Sequence, residues 1–232
     1  MPLPSDFIAE LKKSVSGDLR LDAVSRVLYS TDASIYQAEP LGVFLPRCLD
    51  DLNAVVELAA KYRIPVLPRG AGSSLAGQAV GQALILDVSR WLDRIVEINL
   101  EERTATVQPG VVLAVLNKAA GKYGLQFGPD PASAERATMG GVIGNNATGA
   151  HSILYGMTAD HLLSAEVVMA NGATEVWGEV DARHLMRVAT EAYPGRFSET
   201  HRRISGETYS GISDETHRRI SGETYSGISD ET

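Results

Sequence analysis

A single cysteine, Cys48, stands in 232 residues. No internal disulfide can form, and the chain's own thiolates cannot hold an iron–sulfur cluster. No apolar run approaches the ~18 residues that a membrane span needs, and the opening MPLPSDFIAELKKS has no apolar signal-peptide core. The expectation is a cytoplasmic protein without a membrane span. Positive charge is also scarce: 21 Lys and Arg face 29 Asp and Glu, a net charge of −8. The basic footprint of a nucleic-acid binder is therefore missing. An acidic chain can still hold a phosphorylated ligand where backbone N–H groups supply local positive potential, so glycine-rich loops are the place to look. With 44% hydrophobic and 22% charged residues, the composition is that of an ordinary globular protein. The length suits one large domain or two small ones.

Hydrophobic periodicity predicts the order of elements. Ile8 to Val24 reads as a modest amphipathic helix and a polar link, within an N-terminal helical segment of residues 1–40. Leu41 to Arg47 reads as a short strand, after which Asp50 caps a helix from Leu52 to Tyr62. Ile64 to Leu67 is a strand that empties into the loop Arg69-Gly-Ala-Gly-Ser-Ser-Leu-Ala-Gly77, and Ala83 to Val88 is another apolar run. Arg94 to Pro109 alternates on both sides of polar Glu101 to Arg103, the pattern of a hairpin. Val111 to Tyr123 is a helix ended by Gly124. A second glycine-rich region spans Gly128 to Gly156, and Ala165 to Gly178 reads as two strands joined by a type I′ turn at Asn171-Gly172.

The end of the chain is different in kind. Thr200 to Glu215 recurs letter for letter as Thr216 to Glu231. Natural structural repeats diverge and run to longer periods, so residues 200–232 read as an artefact or a disordered extension. They carry no functional expectation, and His201 and His217 are copies of one another.

The first glycine loop carries Gly70, Gly72 and Gly77 beside Arg69, Ser73 and Ser74. An isolated pair of glycines would most simply be a surface turn. Here the loop follows a buried strand, and glycines with serines suit close backbone approach to an anion. Two familiar phosphate cradles fail the test. A dinucleotide fingerprint needs glycine at the sixth position and then a helix, but Leu75 stands there and a bend and strand follow. Asp87, near the place of a ribose-binding acid, more simply ends a strand. A Walker A loop has the spacing from Gly72 to Gly77, yet Gln78 and Ala79 replace its Lys and Ser/Thr.

Residues 128–156, GPDPASAERATMGGVIGNNATGAHSILYG, admit two readings. They form a long mobile loop, or a flat, side-chain-poor wall on which a planar ring can pack. The second reading draws on Ser133, Thr138, Gly140, Gly141, Gly144, Asn145, Asn146, Thr148, Gly149 and Ser152. Two such regions around strands and a hairpin suggest one extended cofactor between two subdomains.

The motifs Pro68-Arg-Gly-Ala-Gly-Ser-Ser-Leu-Ala-Gly77, Gly128-Pro-Asp-Pro-Ala-Ser133, Gly140-Gly141 and Asn145-Asn-Ala-Thr-Gly149 resemble the FAD-linked oxidases of the p-cresol methylhydroxylase and vanillyl-alcohol oxidase superfamily. Within it they are most similar to the glycolate oxidase, D-lactate dehydrogenase and D-2-hydroxyglutarate dehydrogenase group. Tyr29-Ser-Thr-Asp-Ala-Ser-Ile-Tyr36, Gln108-Pro-Gly110, Tyr155-Gly156, Asp160-His161 and Glu166 to Gly172 share the likeness, which covers roughly residues 20–180.

The resemblance implies an α+β fold of two subdomains, a small parallel-rich sheet and a larger antiparallel-rich sheet with flanking helices, in an FAD-binding domain of residues 41–199. It implies that Arg69, Gly70, Ala71, Gly72, Ser73, Ser74, Leu75 and Gly77 hold the FAD pyrophosphate, mostly through backbone N–H groups. Pro129, Ser133, Thr138, Gly140, Gly141, Gly144, Asn145, Asn146, Gly149 and Ser152 would line the cofactor's length, with the strand around Val167 closing on the adenosine end. Relatives with covalent flavin carry a histidine in the first loop. Ser73 and Ser74 stand there instead, which implies non-covalent FAD.

The implied partner is a small 2-hydroxyacid, met through a substrate domain that nothing after residue 180 resembles. The chain is thus expected to be truncated before that domain, its catalytic residues and electron acceptor left unassigned. An FAD-dependent enolpyruvyl sugar-nucleotide reductase and a noncatalytic FAD-binding module stay open as alternatives. No metal site is expected: His151 and His161 lack ligand spacing, and a structural hydrogen bond is the plainer use of His161. Tyr155 suits a core or a ring contact.

Overall fold

The computed structural model describes residues 2–178. Contacts divide the chain into Met1–Trp177 and Gly178–Thr232. The duplicated tail and most of the second unit lie outside the described residues. The elements of the first unit run from Ser5 to the last strand pair.

Helix α1 (Ser5–Ser14) has Asp6 in its first turn and Lys12 and Lys13 in its last, charges that suit the helix dipole. Phe7 and Leu11, one turn apart, are fully buried, each worth roughly 1.5–3 kcal/mol of apolar burial. The chain then forms strand β1 (Asp18–Arg20) and helix α2 (Ala23–Leu28), where a polar link was expected. The Asp22 carboxylate caps α2 by accepting the Ser25 N–H at 2.8 Å.

Strand β2 (Gly42–Leu45) leads into helix α3 (Leu49–Tyr62). Asp50 is not its cap. Cys48 stands at the cap position without a side-chain hydrogen bond, and Asp51, in the first turn, turns its carboxylate back. It accepts the N–H groups of Arg47 (2.9 Å) and Ser16 (2.7 Å), tying the helix start to the segment after α1. Arg63, in the left-handed region at φ 55, ends α3 before Pro65. Strands β3 (Val66–Arg69) and β4 (Leu84–Asp87) follow.

These strands make one mixed sheet in the order β1-β2-β4-β3. β2, β4 and β3 run parallel, and β1 is an antiparallel edge. Because side chains alternate along a strand, Phe44, Leu84 and Leu86 join Phe7, Leu11, Val55 and Ala59 in one cluster. Val43, Leu45 and Ile85 belong to a second, where Tyr29 and Leu67 pack. β2 and β4 are buried throughout, as expected of central parallel strands covered on both faces.

Strands β5 (Ile95–Asn99) and β6 (Thr104–Val107) form the expected hairpin. Helix α4 (Leu113–Ala120) runs into a 3-10 turn at Gly121–Tyr123, ended by Gly124 at φ 73. The glycine-rich region contains two short helices, α5 (Met139–Gly144) and α6 (Ser152–Tyr155). Val111, Leu113, Leu116, Met139 and Val142 make a third apolar cluster, on which Ile95 and Val107 pack.

Strands β7 (Ser164–Val168) and β8 (Thr174–Gly178) pair with each other. Their turn is not type I′, which needs two left-handed residues. Gly172 has positive φ and Asn171 does not, and Gly172 N–H donates to Met169 O while Met169 N–H donates to Ala173 O. That is a three-residue loop closing on a left-handed glycine. The described residues thus mix helices with one mixed sheet and two separate strand pairs, where one larger antiparallel-rich sheet was expected. Among them no helix is long and apolar enough to cross a membrane.

Candidate functional site

The first glycine loop leaves the carboxyl end of β3 and returns to the start of β4, its parallel neighbour, with no helix between. Carboxyl ends of parallel strands are the usual ligand position in open α/β sheets. Gly72 and Gly77 hold left-handed φ values of 67 and 76. A Cβ on Gly72 would lie 2.5 Å from the Arg69 guanidinium, and one on Gly77 would lie 2.7 Å from the Tyr36 ring. Glycine is required at both positions by shape and by space. The N–H groups of Ala71 to Leu75 meet no acceptor among the described residues. Ala71 and Leu75 are exposed, and Gly72, Ser73 and Ser74 are half-buried. The Ser74 hydroxyl pairs with the Gln78 side chain and accepts the Gln78 N–H at 3.2 Å, closing the loop on itself.

The Arg69 side chain is turned inward. Its guanidinium donates to the carbonyls of Ala79 (2.9 Å), Thr31 (2.8 Å) and Tyr29 (3.3 Å), and it lies 5.2 Å from the centre of the Tyr29 ring. The Tyr29 hydroxyl donates to Asp87. Burial, and then that carboxylate, push the Tyr29 pKa up to about 12. Asp87 ends β4 and also accepts the N–H (2.8 Å) and hydroxyl (2.6 Å) of Ser89.

The two glycine-rich regions meet at Gly70 and Thr138. A Cβ on Gly70 would fall 2.0 Å from Thr138 Oγ1. That oxygen is buried and has no hydrogen-bond partner, and Thr138 precedes α5 without capping it through its side chain. Gly140 donates to Pro109 O at 2.8 Å, and a Cβ there would lie 2.9 Å from the proline ring. Pro129 is buried, and the carbonyl of Ser133 accepts the Arg136 and Ala137 N–H groups in a tight turn. Gly141 accepts from both N–H groups of Asn145. Asn146, at φ 45, accepts the Ala159 N–H. Gly149 donates to Ser152 Oγ at 3.0 Å, and a Cβ on it would overlap the Asp130 carbonyl at 1.8 Å.

Two expected site residues stand apart from these contacts. Gly144 faces open space. Val167 lies in β7, whose next residue, Val168, packs into the first cluster, while Thr174 reaches Asn53 of α3. His161 Nε2 bonds the Tyr155 carbonyl at 2.8 Å, the structural use expected of it, and His151 Nδ1 lies 3.2 Å from Asp130. Among the described residues no cluster could hold a metal ion.

The first glycine loop thus presents unpaired amides, and the partnerless buried hydroxyl of Thr138 lies beside Gly70 at its start. Comparison with known proteins gives the family. A family model described as "FAD binding domain" matches residues 40–177. The chain is 39% identical over 171 residues to D-2-hydroxyglutarate dehydrogenase of Escherichia coli (strain K12), covering 72% of this chain and 17% of that protein. It is 37% identical over 163 residues to glycolate oxidase subunit GlcD of Bacillus subtilis (strain 168), covering 68% of this chain and 34% of that one. An alkyldihydroxyacetonephosphate synthase structure superposes with a TM-score of 0.70 at 25% identity, over 79% of this chain and 37% of its own.

The chain belongs to the FAD-binding domain family of the p-cresol methylhydroxylase and vanillyl-alcohol oxidase superfamily. It spans 17% of the length of that dehydrogenase and 34% of that oxidase subunit. The residues present fit FAD: the unpaired N–H groups suit a pyrophosphate, and Thr138 Oγ1 is a buried polar atom in need of a partner.

Proposed function

We propose that the chain is the FAD-holding part of a flavin-dependent 2-hydroxyacid dehydrogenase or oxidase, with its cofactor domain in residues 41–199. The observation that carries the reading is the first glycine loop, whose amides from Ala71 to Leu75 stay unpaired while its one arginine is satisfied internally. On this reading Gly70, Ala71, Gly72, Ser73, Ser74, Leu75 and Gly77 hold the pyrophosphate through backbone N–H groups, and Arg69 serves from behind. Pro129, Ser133, Thr138, Gly140, Gly141, Gly144, Asn145, Asn146, Gly149 and Ser152 line the cofactor, which lies between two subdomains. Val167 belongs to its adenosine end.

Ser73 and Ser74 offer no ring nitrogen for attachment, so the FAD is dissociable. When bound, the cofactor supplies hydride acceptance at flavin N5 from the substrate carbon bearing the hydroxyl. The contribution of the residues described here is to bind and orient. The names of the relatives supply the substrate class, a small 2-hydroxyacid. The substrate contacts and the base that takes the hydroxyl proton would come from a further domain.

The purified chain is expected to be yellow and to release free FAD on denaturation. Colourless protein that takes up no added FAD would sink the proposal. Gly72→Val should abolish retention, because its side chain meets the Arg69 guanidinium at a left-handed backbone position. Anaerobic bleaching by D-lactate, glycolate or D-2-hydroxyglutarate, when the substrate domain is supplied, supports hydroxyacid chemistry. Bleaching by NADPH alone would favour the sugar-nucleotide reductase reading.

A further inference from the structure

We propose that residues Tyr29–Tyr36 form a strap that holds the first glycine loop in its anion-facing shape, with Arg69 and Asp32 as positioning residues for FAD. The inference rests on the FAD reading of that loop. The strap lies before residue 40, where the family match begins, yet four separate links join it to the loop.

Arg69 gathers the carbonyls of Tyr29 and Thr31 from the strap and of Ala79 from the far end of the loop. The Ala33 N–H donates to Gly72 O at 3.0 Å, at the left-handed glycine itself. The Asp32 carboxylate accepts the Ala79 N–H at 3.3 Å and its own strap's Ser34 N–H at 2.8 Å. The Tyr36 ring packs on Gly77 so closely that a Cβ there would fall 2.7 Å from Cδ2.

Such support is needed because glycine-rich backbone loses more freedom on ordering than any other. This loop spends few of its own hydrogen bonds on holding itself. A planar guanidinium with several fixed donors can bridge three carbonyls, whereas an ammonium is a point charge on a flexible stem. Three of its five N–H donors are committed to those carbonyls, two from the strap and one from the loop's far end, so Arg69 acts first as a brace between them.

The test uses the full chain and three variants, Arg69→Met, Asp32→Ala and the double. FAD affinity is measured by titration, and amide hydrogen exchange is measured without FAD. Each single substitution is expected to weaken FAD binding roughly tenfold, and the double little more than the worse single, because both act on one strap. Exchange should speed up at the bonded amides of the junction, Ala33, Gln78 and Ala79, while β2 and β4 stay protected, a pattern that general destabilisation does not produce. Arg69→Lys should fail to restore affinity.

An Asp32→Ala chain with unchanged FAD affinity and loop exchange would overturn the strap, as would full rescue by Arg69→Lys. Loss of FAD in Gly72→Val without any loss in Asp32→Ala also removes the strap and leaves the FAD reading standing. A wild-type chain that takes up no FAD overturns both.

Discussion

Replacing Thr138 by valine should stabilise the protein without FAD and weaken its hold on FAD. Thr138 is 2% exposed, and its hydroxyl oxygen has no partner. An unsatisfied buried polar group costs about 1–3 kcal/mol. Valine removes that group at nearly constant volume, and no side-chain cap of α5 is lost, because Thr138 makes none. A gain of about 1 kcal/mol is therefore expected in a urea melt of the FAD-free chain, or about 2–4 °C in Tm for a domain of this size. Gly70 faces the same oxygen, which places the hydroxyl where the two glycine regions meet. If it bonds the cofactor there, valine forfeits about 1 kcal/mol of binding, roughly fivefold in Kd. Thr138→Ser keeps the hydroxyl and should keep the affinity. The opposite signs in the two states are the signature. A variant less stable without FAD, or one that binds FAD as tightly as the parent, would refute the reasoning.

Gly149→Ala must push its Cβ out of the Asp130 carbonyl, 1.8 Å away, at a cost of about 3 kcal/mol because backbone cannot swing aside as a side chain can. Gly144→Ala meets nothing within 4 Å inside α5 and should gain about 0.5–1 kcal/mol; paired denaturant melts separate the two. Asp51→Ala strands the N–H groups of Ser16 and Arg47 and should cost about 3 kcal/mol by the same measurement.

Acid should reproduce part of that loss. Burial works against the Asp51 carboxylate, but the N–H groups of Arg47 and Ser16, the Ser16 hydroxyl and the Cys48 N–H outweigh it and hold its pKa below the usual value. The stability from this site is complete above the unfolded carboxyl pKa of about 3.9 and is lost as pH falls through the folded value. An Asp51→Ala chain should therefore show a flatter stability profile below about pH 4. If backbone amides rather than cationic side chains hold the pyrophosphate, FAD affinity should change little between low and moderate salt. A steep fall would point to Lys or Arg contacts.

Long apolar patterns were legible in the sequence and short polar ones were not. The runs that became β2, β3 and β4, the body of α3, the β5–β6 hairpin and the Gly124 stop all carry strong periodicity or a residue with one obvious backbone use. Strand β1 is three polar-rich residues, Asp18–Arg20, whose extended shape comes from pairing with β2 rather than from its own pattern. Asp50 and Asp51 are indistinguishable as letters. Which of them is used depends on Arg47 and Ser16, and Ser16 comes from a distant part of the chain. The Asn-Gly dipeptide fits two loop lengths, and the Met169–Ala173 pairing chooses the longer over the expected type I′ turn. At the site, the glycine loop was legible from its composition. The Tyr29–Tyr36 segment that braces it showed only as a family likeness, because it acts through backbone carbonyls and one aspartate that no local pattern marks.

The net charge of −8 and a dianionic cofactor are at odds only if charge is averaged over the chain. From Gly70 to Leu86 there is no acidic or basic residue, and from Ala137 to Ala159 the only titratable side chains are those of His151 and Tyr155. The carboxylate that does reach the first loop, Asp32, is occupied in accepting the N–H groups of Ser34 and Ala79. Its charge also sits near that of Arg69, one of the influences that hold its pKa below the usual value against the opposing effect of burial. The acids are thus absent from the first loop or, in Asp32, committed to bonds that shape it. On the proposed reading, the attraction of such a site for phosphate comes from the orientation of its amides. It would then depend on the geometry of a few residues around Gly72, where the Ala33 N–H of the proposed strap is bonded to the Gly72 carbonyl.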